Sequence, residues 1–251
     1  MLWVTVVAVE FWPFPGRARD VLPTSAHRWL AGRPGEAYVL DCTPWTAVDA
    51  TLSWLMRKNV VHITAPFEGC DEPEFVPKLA ALHFTHVITR ASQPVPWTDP
   101  PAGLTLAAAF PDGRVYTVPS VPPALVVFDI RGFWEWERRD NDRWRWMGQE
   151  GSWTVLNTTT SDVATMLDLE LESFATPRRL MLALDSQPMP SLDVAVRRRE
   201  YELGPIAVPP GQHVVRFRAV EPAVRPIDAV GNHDTRAITI ALRSWHWSPT
   251  H

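Results

Sequence analysis

The sequence predicts two structural classes in one chain: a small three-stranded parallel α/β unit over residues 20–95, then an antiparallel, jelly-roll-like β-sandwich over 103–251. Three observations predict this. Between 37 and 89, apolar runs and helix-period segments alternate in the order β-α-β-α-β, which suits a parallel sheet with right-handed crossovers. Beyond 103 the chain becomes a series of short β-type runs separated by Pro and Gly turns, with no helix-period stretch longer than two turns. Between the two lie Gln93-Pro-Val-Pro-Trp-Thr-Asp-Pro-Pro101 and Pro119–Pro123, both of linker composition.

Taken in order, Leu2–Val9 is an apolar run ended by Glu10 and followed by Phe11-Trp12-Pro13-Phe14-Pro15. A membrane-spanning helix needs about 20 apolar residues. Residues 1–19 therefore read either as a buried first strand or as the tail of a membrane helix with aromatics at its interface. No basic n-region or small-residue cleavage site marks a secretory leader. Ala37–Asp41, behind the turn Arg33-Pro-Gly-Glu36, reads as a strand. Thr46–Arg57 reads as a helix, with Val48, Leu52, Leu55 and Met56 on one face and Thr46 as N-cap. Asn59–Thr64 is a second strand. Glu74–His83 is a second helix, with Pro77 in its first turn, where the missing N–H is no loss. Thr85–Thr89 is a third strand.

The all-β part opens with Leu104–Phe110 and Val115–Val118 around Pro111-Asp-Gly-Arg114, a hairpin signal. Ala124–Ile130 follows, then Trp144–Met147, Gly151–Leu156, Thr165–Glu172, Leu180–Asp185, Leu192–Arg197, Glu200–Leu203, Gly211–Ala219 and Ala237–Leu242. His213–Arg218 and Ala237–Leu242 show the in/out alternation of half-buried strands.

Composition excludes some functions. The 251 residues are 46% hydrophobic, enough for a core, with 28 acidic and 24 basic groups. Neither half is strongly charged, so no nucleic-acid partner is expected, since binding to phosphate backbones needs a basic excess or stripe. No GxGxxG or GxxxxGK[ST] occurs, so no nucleotide cofactor is expected either. There is no GxSxG nucleophile elbow and no HExxH. His83 and His86 are spaced HxxH but straddle a helix end and a strand. Asp140-Asn141-Asp142 lies in the charged run 137–143 and reads as a hairpin tip rather than a metal site. An unrecognised hydrolase or transferase would have to use pairs such as Asp41 with His62, or His233 with Asp234. Cys42 and Cys70 follow the first and second strands of a parallel sheet, so they are either two buried thiols or, in an exported protein, one disulfide.

The chain has 13 tryptophans against 3 tyrosines. Trp134-Glu135-Trp136 and Trp144-Arg145-Trp146 each place two indoles on one side of a strand and a charge on the other. Two readings stand. In one, the indoles plug the sandwich core. In the other, they form a stacking floor for sugar rings, with Glu135 and Arg145 at its rim to hydrogen-bond hydroxyls.

Several stretches together resemble one context: VLPTSAHRWLA (21–31), LHFTHVITR (82–90), FPDGRVYTV (110–118), GFWEWE with RWRWMG (132–148) and HDTRAITIALRSWHW (233–247). The chain resembles the extracytoplasmic C-terminal region of bacterial polytopic membrane glycosyltransferase-like proteins of the GT-C type. There, a membrane-embedded catalytic half is followed by a small α/β unit and a sandwich like a carbohydrate-binding module. The family's membrane half, with its acidic catalytic residue, has no counterpart in this sequence. The resemblance therefore implies a non-catalytic accessory region that takes a glycan or lipid-linked sugar and partners a membrane-embedded segment. It also implies an extracytoplasmic, membrane-associated location, whereas a stand-alone chain would be cytoplasmic. A purely structural domain pair packing on such a partner is the alternative.

Overall fold

The computed structural model describes residues 23–42, 57–62, 67–92, 95, 97–140, 142–231 and 233–250. The chain forms two compact units, residues 1–122 and 123–251. Residues 1–19 and almost all of the helix expected over 46–57 lie outside the described residues.

The first unit contains helix α1 (Ser25–Ala31), β1 (Tyr38–Asp41), β2 (Asn59–His62), helix α2 (Phe75–Ala81), β3 (His86–Arg90), β4 (Thr105–Phe110) and β5 (Gly113–Thr117). Strand β1 pairs in parallel with both β2 and β3, as the β-α-β-α-β order predicts. The hairpin β4–β5 does not join the sandwich, where the sequence reading placed it. It extends the α/β sheet through antiparallel pairing of β3 with β5, giving the order β2-β1-β3-β5-β4. Packing explains the difference. Val115 packs in a cluster with Ala26, Leu30 and Ile88, while its neighbour Tyr116 packs with Phe75, Leu79 and Val87. Strand β5 is thus covered on both faces, which alternation alone cannot reveal. Gly113 lets it start there, because a Cβ at that position would lie 2.6 Å from the Thr89 carbonyl oxygen.

A buried polar cluster ties α1 to the sheet. The Thr24 amide donates to His27 Nδ1 (3.2 Å), so Nδ1 accepts and the proton sits on Nε2, 3.0 Å from Asp41 Oδ2. Arg90 donates to the same oxygen through Nε (2.9 Å) and Nη2 (2.6 Å). Burial opposes the Asp41 charge, but the hydrogen bonds from His27 and Arg90 outweigh it and hold the carboxyl below its ordinary value. On the other face, Cys42 and Cys70 are joined in a disulfide with Cα atoms 6.0 Å apart, which decides between the two cysteine readings.

The second unit contains β6 (Leu125–Phe133), β7 (Glu137–Arg139), β8 (Asp142–Asn157), β9 (Val163–Ser173), β10 (Arg178–Leu184), β11 (Gln187–Pro188), β12 (Leu192–Val194), β13 (Arg199–Val208), β14 (Gly211–Ala219), the short helix α3 (Pro226–Val230) and β15 (Ile240–Pro249). Every named strand pair is antiparallel. The strands make two sheets that share one member. Residues 150–157 of β8 pair with β14, whereas Arg145 and Trp146 of the same strand pair with β15. The sequence suggested two strands here, 144–147 and 151–156, because Gly148–Gly151 interrupts the apolar pattern. The structure runs them into one. Here β6 and β8 approach too closely for side chains: a Cβ on Gly151 would lie 2.5 Å from the Phe133 ring, and one on Gly132 of β6 (φ +75°) would lie 2.2 Å from the Glu150 carbonyl oxygen.

The two sheets enclose one core. Trp153 is fully buried and meets Phe217 at 4.8 Å and Trp245 at 5.0 Å between ring centroids, the latter edge-on. Leu167, Leu169, Leu171, Leu180, Leu182 and Val215 surround them. Such centroid distances are those of favourable aromatic packing.

Two outcomes follow. Replacing Trp153 by Ala should destabilise the sandwich by about 3–5 kcal/mol in urea unfolding, as large-to-small core changes do. Reducing the Cys42–Cys70 bond should cost the α/β unit about 2–4 kcal/mol, read as a lower melting transition for that unit with the sandwich transition unmoved.

Candidate functional site

Six residues stand out in the sequence as a ligand face: Trp134, Glu135, Trp136, Trp144, Arg145 and Trp146. The structure distributes them. The side-chain parity of β8 is set by Met147, Trp153 and Val155, all buried, so Arg145 shares their inner face while Trp144 and Trp146 point outward. This reverses the core arrangement, in which the indoles would be inside and the arginine solvated. Arg145 is 4% exposed, donates through Nε to the Trp134 carbonyl (3.1 Å) and sits over the rings of Phe133 and Trp136. It caps the end of the core with its charge against π-faces.

The four indoles therefore have separate surroundings. Trp136 stacks on Trp245 at 6.3 Å and 24° and belongs to the core margin. Trp146 packs edge-on against Phe174 at 5.6 Å. Trp134 is exposed, held by a bond from Nε1 to the Ala237 carbonyl (3.3 Å) with Arg236 5.8 Å from its ring. Glu135 beside it is also exposed.

Trp144 lines a cleft. This cleft has a volume of about 510 Å³ and is bounded by Arg139, Asp140, Asp142, Trp144, Arg198 and Arg243. The hairpin β7–β8 supplies the first four, and its tip at Asp140 is indeed the turn predicted from the charged run. Arg198 precedes β13, and Arg243 lies at the bulge where β15 shifts register against β9. Arg198 and Arg243 are fixed by a chain of ion pairs. Asp142 accepts from Arg243 and Arg198, Arg243 also donates to Glu172 (3.0 Å), and Arg198 to Glu170. Hydrogen bonding from Arg243 is the main reason that the Asp142 carboxyl is held below its ordinary value. Arg243 lies 5.1 Å from the Trp144 ring centroid, which steadies the indole.

Such a wall can do two things at once. An indole offers a flat apolar surface to the C–H face of a sugar ring. Planar guanidinium groups already oriented by carboxylates offer donors, and Asp140 and Asp142 offer acceptors, to its hydroxyls. Sequence reasoning found Trp144 but missed Arg139, Arg198 and Arg243. Arg198 is one of three consecutive arginines, and Arg243 lies just past the end of the strand expected over 237–242. Neither carries a local signal that sets it apart.

The residues of the two enzymatic pairs have these surroundings. Asp41 is wholly buried in the His27–Arg90 cluster, and the His62 side chain lies outside the described residues. Asp234 is engaged by Arg236, which also reaches Glu137 (2.6 Å). Among the described residues no group of three His, Cys, Asp or Glu side chains could hold a metal ion. No helix among them is long and apolar enough to cross a membrane.

The sequence matches no protein-family model and no curated protein sequence. Among solved structures it is similar to a family two carbohydrate esterase from Cellvibrio japonicus, at 14% identity and TM-score 0.30, over 48% of this chain and 31% of that one. It is also similar to a family 35 carbohydrate-binding module from an environmental isolate, at 9% identity and TM-score 0.32, over 47% of this chain and 88% of that one. A third is the C-terminal family 6 carbohydrate-binding module of a marine laminarinase from Zobellia galactanivorans, at 7% identity and TM-score 0.32, over 49% and 98%. At these scores the likeness defines neither family, ligand nor site.

Because Trp144 points away from the core, Trp144→Ala should cost about 1 kcal/mol in urea unfolding, well short of the Trp153→Ala cost. A loss as large as that of Trp153 would mean the indole is structural.

Proposed function

We propose that the sandwich unit is a non-catalytic carbohydrate-binding region that stacks a sugar ring on Trp144 in the cleft beneath the β7–β8 hairpin. The single observation carrying this reading is the half-buried indole lining an open cleft in which Arg198 and Arg243 are already oriented by Asp142, Glu170 and Glu172. Orientation before binding matters because the entropy of ordering long side chains is not charged against the ligand. Trp134 with Glu135 and Arg236 offers an exposed neighbouring surface for a longer glycan; Trp136, Arg145 and Trp146 support the fold around it.

The resemblance to the extracytoplasmic region of GT-C-type membrane proteins supports a finer reading. In it, the chain accompanies a membrane-embedded glycosyltransferase half and meets a glycan or lipid-linked sugar of the cell envelope. The Cys42–Cys70 disulfide fits an oxidising, extracytoplasmic compartment.

Titration calorimetry against a panel of cell-envelope and plant oligosaccharides tests the binding. Wild type should bind at least one saturably, and Trp144→Ala and Arg198→Ala should each weaken it about tenfold or more, a loss of about 1.4 kcal/mol. Binding by none, or binding indifferent to both changes, refutes the reading. The pH dependence follows from Asp142. Its depressed carboxyl keeps the charge that orients Arg243 well below neutral pH, so affinity should hold steady from neutrality down to about pH 5. It should fall only below the ordinary aspartate value, as the solution acidifies through the depressed one.

A further inference from the structure

We propose that the α/β unit carries a separate ligand site, a cationic pocket at the N-terminal edge of its parallel strands that takes a phosphate ester. The pocket has a volume of about 310 Å³. Its walls come from the end of α1 and the turn behind it (Trp29, Arg33), the entry to β1 (Glu36), the entry to β2 (Lys58), the first residue of β3 (His86) and the last of β5 (Thr117).

Each cationic group is held with donor capacity to spare. The Lys58 side chain is tucked inside, with the residue 8% exposed, and its ammonium donates to the carbonyl oxygens of Arg33 (2.9 Å) and Gly35. An ammonium has three protons, so one remains for a ligand. The Arg33 guanidinium is laid on the Trp29 ring, 4.1 Å from its centroid, and has no carboxylate partner among the described residues. His86 Nδ1 lies 2.9 Å from the Thr85 hydroxyl, whose only proton goes to the Tyr38 carbonyl (3.0 Å). Nδ1 must therefore be the donor, which leaves Nε2 uncommitted.

The charges do not balance. Among the described residues Glu36 is the one carboxylate on the wall, and it pairs with neither Arg33 nor Lys58. The strands β4 and β5 contribute Ala107 and Thr117, which do not ionise. A largely buried ammonium that has no carboxylate partner among the described residues is unfavourable, and a bound anion relieves that cost. His86 registers the same field: burial, then the charges of Lys58 and Arg33, hold its imidazole below the ordinary value. A phosphate fits this donor set. It accepts two parallel bonds from the guanidinium fork, one from the ammonium point charge, and one from Nε2 once His86 is protonated. The remaining volume accommodates part of the group bearing the phosphate, against Trp29.

The phosphate could be carried by a soluble ester or by a lipid head group. Imidazole signals of the full chain, followed by NMR, would read binding by inorganic pyrophosphate, with sodium chloride at equal ionic strength as control. Sedimentation with phosphatidylcholine vesicles containing phosphatidic acid forms the second arm. In at least one arm, binding should be saturable and weakened about tenfold or more by Arg33→Gln, an exposed change that leaves the melting temperature in place. Binding should also raise the His86 pKa, because the anion offsets the charges of Lys58 and Arg33, so affinity increases as pH falls. Pyrophosphate binding identifies a soluble source; binding to vesicles alone identifies a lipid one. Silence of His86 to millimolar pyrophosphate together with no vesicle binding overturns the proposal, as does binding that Arg33→Gln leaves unchanged.

Discussion

The sandwich depends on one strand, β8, being hydrogen-bonded into both of its sheets. Its C-terminal half pairs with β14 and β6, and its N-terminal end pairs with β15. Near the Glu150 end of its pairing with β14, β8 carries Gly151, where the Phe133 ring approaches too closely for a side chain. Alternation then fixes which side each residue of the strand takes. Trp153 and Val155 fill the core, Arg145 caps it, and Trp144 emerges at the far end on the outer surface. The cleft is thus a consequence of the same strand that organises the core. Its register cannot slip by one residue without burying Trp144 and exposing Trp153.

The α/β unit handles buried charge in two different ways. Asp41 is matched: two neighbours supply three hydrogen bonds to one carboxylate oxygen, and Lys78 meets Glu72 at 2.6 Å. Pairs of this kind add little net stability, since desolvation opposes the Coulomb gain, but they fix geometry and are costly to break. Lys58 is different. It is satisfied by carbonyl oxygens rather than by a carboxylate, at a strand edge where Arg33 and His86 add to the same sign of potential. The contrast between a neutralised cluster inside and an unneutralised one at a pocket is what separates structural charge from charge available to a ligand.

The sequence by itself determined the elements and their classes. Alternating apolar runs, turn dipeptides and helix-period segments are local properties, so β1 to β3, α2, the hairpin β4–β5 and most sandwich strands were legible with modest boundary errors. It also marked Trp134, Trp136, Trp144 and Trp146 with Glu135 and Arg145 as one candidate face, because two indoles at i and i+2 must share one side of a strand, and left open whether that side is core or surface. What only the tertiary structure decided was non-local. Whether β5 joins the α/β sheet or the sandwich depends on which surfaces cover Val115 and Tyr116. Whether Trp144 or Arg145 faces inward depends on a register anchored by Trp153, nine residues from Trp144 along the same strand. Arg198, just before β13, and Arg243, on β15, reach the cleft from positions more than 50 residues beyond Asp142, each through an ion pair with it that no local pattern encodes. Periodicity records which side of a strand a residue takes; only packing between distant strands records which side is the inside.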